Sequence, residues 1–268
     1  MARDDGGTIA MIPGWPGERG KAMAQAIAYC GTPPDPATLA ARFNLDPVLI
    51  VALSAVAVAH FAWCRAHGRS GHGMLLGWGI AAAALISPLC ALSVSLFSAR
   101  IAQHMILLLI AAPLVASGLP AAIRVGRGLW PATIAFALGL WAWHMPAPYD
   151  ATLRSTPLYW AMHLSLFGTA LWLWRELIGR DRHDAPGAIA AGLATSMQMG
   201  LLGAVLTLGN HAWFSVHYLT TQAWGLSPLA DQQLGGAIMW VPGFLLFLGI
   251  ALRSAWRAWQ AMEARQIA

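Results

Sequence analysis

Three histidines, His104, His144 and His163, lie on three separate hydrophobic stretches, each beside a methionine: Met105, Met145 and Met162. Ionisable side chains are costly inside a bilayer, so several at one depth mark a functional site by default. Imidazole and thioether together form a donor set for copper, above all for the soft Cu(I) ion. The hydrophobic stretches around the trio hold no acid, which argues against Mg2+ or Ca2+ and against a carboxylate proton relay. Two opposed histidines at matched depth would suit haem; a trio clustered near one surface suits a small ion better. No Walker A or HExxH motif and no Ser-His-Asp set accompanies them, so no enzymatic chemistry is expected.

The elements that must position these residues follow from composition. Of 268 residues, 58% are hydrophobic and 10% charged, against about 25% charged in ordinary soluble domains. No Asp or Glu occurs between Asp46 and Asp150, a stretch that water could not keep dissolved. The chain therefore reads as all-α, a polytopic transmembrane helix bundle of about seven spans embedded in the lipid bilayer. The spans are expected at 47–64, 74–94, 101–119, 129–145, 158–174, 188–208 and 234–252, each long enough for a core of about 30 Å. They make one domain, 47–259, between an N-terminal tail, 1–46, and a C-terminal tail, 260–268. The N-terminal tail, rich in proline and glycine, reads as largely irregular, with room for a short helix over 20–29.

Arginine placement orients the bundle. Arg65, Arg69, Arg124, Arg127, Arg175, Arg180, Arg182, Arg253, Arg257 and Arg265 fall at one face, whereas the short loops of the other hold only Arg100 and Arg154. The positive-inside rule then predicts an outer N-terminus and a cytoplasmic C-terminus in a bacterial inner membrane. The formal net charge of +5 is spread too thinly to neutralise a series of phosphates, so nucleic acid is not an expected partner. Cys30, Cys64 and Cys90 are scattered, without a CxxC, and predict no disulfide framework.

With that topology the histidines fall in one layer near the outer surface, roughly 5, 2 and 8 Å deep for His104, His144 and His163 at about 1.5 Å per helical residue. A shallow, loosely caged site is expected, suited to handing an ion on. Met239 and Cys90 lie at similar depth on the seventh and second stretches. Adjacent His and Met side chains point about 100° apart on a helix, so the expected shell is histidines inward with methionines from other helices. His144 alone reads equally well as an interfacial hydrogen-bonding residue, and Met197 and Met199 read as packing. Asp231 reads either as a carboxylate orienting a histidine or as the N-cap of the seventh helix. His60 reads as structural, and His211 and His217, in the long loop before Asp231, as accessory at best.

Three blocks carry a family resemblance. The run from Ser98 through Arg100, Gln103, His104 and Met105 to Leu108, followed by Ala112-Pro113-Leu114 and Gly118-Leu119-Pro120, is the first. The second runs from Leu140-Trp141-Ala142-Trp143-His144-Met145-Pro146 to Asp150 and on to His163-Leu164-Ser165; the third spans Trp224 to Trp240 and contains Asp231-Gln232-Gln233. Together they resemble the polytopic CtaG family of cytochrome c oxidase assembly factors, over roughly 42–259. The resemblance implies a membrane factor that helps mature haem-copper oxidase by handling copper. Its implied partners are cytochrome c oxidase subunits and a periplasmic copper chaperone. It also implies kinship with membrane proteins of copper resistance and import, so a copper permease and a metal-free scaffold remain as alternatives.

Two departures from the family pattern bear on the site. Arg100 stands where the family often carries a second histidine, and Tyr159 and Met162 precede His163 where it often has His-x-x-Glu-His. The shift removes nitrogen and oxygen donors and leaves a set, His104, His144, His163, Met162 and Met239, that favours Cu(I).

Overall fold

The computed structural model describes residues 28–119, 128–180 and 185–267. The short helix expected over 20–29 lies almost wholly outside them. Each of the seven apolar stretches is helical: α1 (Pro47–Ala66), α2 (His72–Ile86) with α3 (Pro88–Ser95), α4 (Phe97–Met105) continuing into α5 (Ala112–Gly118), α6 (Leu129–Trp143), α8 (Thr156–Arg180), α9 (Ala185–Leu208) and α10 (Pro228–Ile267). A short helix, α7 (Pro146–Thr152), links α6 to α8. Among the described residues there is no β-strand, only an isolated bridge between Ala28 and Gly31.

By length and apolarity, Pro47–Ala66, Phe97–Gly118, Ala185–Leu208 and Pro228–Gln260 can cross a membrane, and the bent α2–α3 pair makes a fifth when counted as one. The helices start where the sequence supplies a cap and a proline. Asp46 accepts from Val48 N at 2.9 Å ahead of Pro47, and Ser87 Oγ accepts from Leu89 N ahead of Pro88. Proline is tolerated there because the first N–H groups of a helix have no internal partner.

The expected single span over 74–94 is broken, with α2 and α3 bent by 50° at Ser87. Pro88 has no N–H to donate to the carbonyl four residues back, Ala84. That carbonyl accepts instead from Gln103 Nε2 at 2.8 Å. The next two are taken as well: Leu85 O by the Asn44 side chain at 3.4 Å and Ile86 O by Asn44 N at 2.8 Å. A break away from water is tolerable only when each freed carbonyl finds a donor.

The same logic governs the third rod. Between α4 and α5 the chain makes a π-helical turn, Ile106–Ala111, directly after His104 and Met105. Bonds there reach five residues back, and Pro113 cannot supply one to Leu108 O. The indole of Trp174 on α8 does so at 2.7 Å.

α9 and α10 form a close hairpin whose backbones nearly touch at Gly203 and Gly236. A Cβ at Gly236 would lie 2.6 Å from Thr207 N and 2.7 Å from Gly203 O. Small residues permit such approach where lipid offers no hydrophobic drive to association. Gly236→Val is therefore expected to destabilise the bundle by about 1–3 kcal/mol, the usual cost of overpacking. Denaturant titration in detergent would measure this, and an unchanged midpoint would contradict the close approach.

Candidate metal site

His104 sits in the last turn of α4, two residues before the π turn; His144 terminates α6; His163 lies in the second turn of α8. The fold brings all three together. The His104 ring centroid is 5.5 Å from that of His144 and 5.3 Å from that of His163, both edge-on. The expected shallow exposure is corrected: the three residues are 1%, 1% and 5% exposed.

Hydrogen bonding fixes two of the rings. His144 Nδ1–H donates to Leu140 O at 2.6 Å and His163 Nδ1–H to Tyr159 O at 3.0 Å, each one turn back on its own helix. Those bonds leave Nε2 of each ring as a lone-pair donor, the arrangement that prepares histidine for a metal. Both Nε2 atoms, and both nitrogens of His104, are buried without a hydrogen-bond partner. A buried polar atom left unpaired costs about 1–3 kcal/mol. Neutral imidazole nitrogens of this kind fit a copper ion chemically. As the rings stand, His104 lies between the other two, and among the described residues no three His, Cys, Asp or Glu donors already close on one point. Closure would require a turn of the His104 ring, which no hydrogen bond holds.

Arg100, one turn before His104, is wholly buried, and none of its guanidinium nitrogens has a hydrogen-bond partner. Its charge rests against two aromatic faces, 5.0 Å from the Tyr149 centroid and 5.8 Å from that of Tyr159. Tyr159 in turn lies on His163, with centroids 4.1 Å apart. An arginine cannot shed its proton, so a fixed positive charge borders the trio.

A loop over 209–227 covers the start of α4 and the short α7. Phe214 stacks on Phe97 at 4.3 Å, Tyr149 packs against both, and the Tyr149 hydroxyl is 2.8 Å from His217 Nε2. Thr220 Oγ1 donates to Ser95 O at 2.6 Å. His217, ranked accessory from sequence, is thus a buried post of the cap; no local pattern distinguishes it from exposed His211. The polar run Asp231-Gln232-Gln233 belongs to the first turns of α10, which begins at Pro228 and not at the expected residue 234. Gln232 ties the loop down, accepting from Trp213 N at 2.7 Å and donating to His211 O at 3.1 Å.

Asp231 takes neither of its expected roles. Its carboxylate accepts from Phe97 N at 2.6 Å, from Ser98 N at 3.1 Å and from the Ser98 hydroxyl. It therefore caps α4, the helix that carries Arg100 and His104, rather than its own helix or a histidine. A carboxylate is favoured there by the helix dipole and the orphan N–H groups.

Met162, Met239 and Met105 are buried in the main apolar core, whereas Met145 is exposed at the head of α7. Cys90 is not a free donor. It forms a disulfide with Cys30, Cα atoms 5.4 Å apart, which corrects the expectation of no disulfide. Two cysteines 60 residues apart, one in a tail and one at a helix break, carry no local signature of pairing. Cys64 is free and buried, as expected of a small apolar residue. His163 also contributes to the wall of an apolar groove of about 410 Å3 between α1, α2 and α8.

The family model described as the cytochrome c oxidase caa3 assembly factor (Caa3_CtaG) matches residues 73–261, and the chain belongs to that family. No curated protein and no solved structure matches it. The matched range begins at the head of α2 and takes in all three histidines, Arg100, Cys90 and the covering loop; Cys30 precedes it.

Burial pushes the His217 imidazole down from 6.5 to about 3, and nearby Arg100 acts in the same direction. With the seated value below the free one, seating is firmest above pH 6.5 and weakens as the pH falls toward 3. Protection of the amides over 214–221, taken relative to the intrinsic exchange rate at each pH, is accordingly expected to fall below about pH 6.5, the free-histidine value, and His217→Gln to remove that dependence. A protection factor that does not change with pH in the wild type would contradict it.

Proposed function

We propose that this member of the caa3 assembly-factor family holds Cu(I) between His104, His144 and His163 and passes it to a subunit of cytochrome c oxidase. The observation that carries the reading is the set of four buried, unpaired ring nitrogens on three helices at one level. Copper is the cargo here, and no covalent step is involved. Nε2 of His144 and of His163 would bind first, since their Nδ1–H bonds already aim them, and His104 would turn in to complete the shell. The buried methionines Met162 and Met239 are the candidates for a further soft ligand.

The proposed setting is a bacterial inner membrane crossed seven times, with the trio near the outer face and a periplasmic chaperone as donor. The arginine asymmetry supports this orientation. So does the Cys30–Cys90 disulfide at the same end, because such bonds persist in oxidising compartments. A permease would need ligands continuing inward. Of the three inward candidates, Met197 faces outward, 71% exposed, Met199 packs beneath Gly243, and His60 has its Nδ1 accepting from the Trp78 indole at 3.2 Å, so delivery is the better-supported reading.

The fixed charge of Arg100 disfavours an added cation and keeps the ion transferable. Replacing it by methionine is expected to tighten Cu(I) binding at the trio about tenfold, equivalent to about 1.4 kcal/mol. Cu(I) titration of the purified, oxidised protein against a chromophoric competitor tests both points. The wild type should bind close to one equivalent, and His104→Ala/His144→Ala/His163→Ala should lose it. Equal binding by the triple variant, or none by the wild type, would leave a metal-free scaffold as the function.

A further inference from the structure

We propose that Cys30 and Cys90, once reduced, form a second Cu(I) site of two thiolates at the edge of the histidine trio. The juxtaposition is direct. The Tyr159 hydroxyl lies 3.5 Å from Cys30 Sγ and 3.7 Å from Cys90 Sγ, and its ring rests on that of His163. One aromatic side chain therefore separates the sulfur pair from the candidate metal site. Tyr29, beside Cys30, packs on Tyr159 and Trp160 with centroids 4.8 and 5.1 Å away. Its hydroxyl donates to Asp46 at 2.5 Å. These contacts hold the tail against the bundle independently of the disulfide, so the two sulfurs stay paired after reduction.

Access and electrostatics are arranged for exchange. Cys30 is partly exposed whereas Cys90 is wholly buried, so an incoming thiolate reaches the Cys30 sulfur. The Asn44 amide donates to Cys90 Sγ at 3.6 Å, stabilising the thiolate that leaves. The reductant is an external dithiol protein. One of its thiolates attacks Cys30 Sγ, forms a mixed disulfide and releases Cys90 as thiolate. Its second thiol then displaces Cys30. The donor is oxidised by two electrons to its own disulfide, and its two protons pass to the released cysteines. Cu(I) displaces those protons and keeps its oxidation state.

The charge balance supports the assignment. Two thiolates and one Cu(I) carry a net charge of −1, and soft thiolates select this ion. Arg100, wholly buried and without a hydrogen-bond partner for its guanidinium, lies 5.8 Å from the Tyr159 ring. Asp150 lies within electrostatic reach of this arginine; the trio adds no negative charge beside it, whereas the bis-thiolate complex does. The site extends the copper reading above and shares its premise that Cu(I) reaches this face, but it does not need the histidines.

The test is Cu(I) stoichiometry of the full-length protein in detergent, before and after reduction by a phosphine, with copper X-ray absorption on each loaded sample. Reduction should add one equivalent with sulfur scatterers. The addition should vanish in Cys30→Ser/Cys90→Ser and in reduced wild type blocked by iodoacetamide, a control that keeps every residue in place. It should persist in the histidine triple variant, so failure of the trio and failure of the thiol site are separable. Arg100→Met should weaken this added equivalent about tenfold, opposite in sign to its effect at the trio. No gain on reduction, or a gain that survives alkylation, overturns the proposal.

Discussion

Polar groups withdrawn from water must find partners inside the bundle, and that constraint explains both the irregularities of this fold and its chemistry. Helices crossing a bilayer have no solvent to fall back on. Where Pro88 breaks one rod, Gln103 and Asn44 take up the freed carbonyls. Where a π turn ahead of Pro113 leaves Leu108 O without an internal donor, the Trp174 indole supplies one. Where α4 begins beneath the covering loop, Asp231 from α10 caps it. Each irregularity has a named donor or acceptor, often from a distant part of the chain.

Against so thorough a satisfaction of the backbone, the unpaired side chains of the same layer stand out. The trio nitrogens and the Arg100 guanidinium are buried without partners within a few residues of groups that are fully satisfied. The devices that satisfy the backbone also position these side chains. Asp231 anchors the start of α4 and the π turn follows its end, so His104 is held between two fixed points. Tyr159 supports His163 from one side and the sulfur pair from the other.

The family membership and the helical rods were legible from sequence, because apolar length and the His-Met blocks are local signals. The meeting of His104, His144 and His163 was legible too, since depth along a helix can be counted at about 1.5 Å per residue. Burial of the trio was not. Counting depth along one helix says nothing of the tertiary packing around it, and the loop over 209–227 shows how distant its contacts are: His217 meets Tyr149 and Thr220 meets Ser95, residues far apart in the chain. Asp231 reads from sequence as either a partner of a histidine or the N-cap of the seventh helix, not as the cap of α4, for the same reason: an N-cap is normally supplied locally, and here it comes from 133 residues away. The Cys30–Cys90 pair is a contact of this long-range kind, invisible to spacing rules.

The most direct test of the central claim is X-ray absorption at the copper edge of the oxidised, Cu(I)-loaded protein, read for the multiple scattering that imidazole rings produce. The account predicts a shell dominated by histidine nitrogen, which disappears in the triple histidine variant. A shell of sulfur alone, or a spectrum unchanged in that variant, would contradict it.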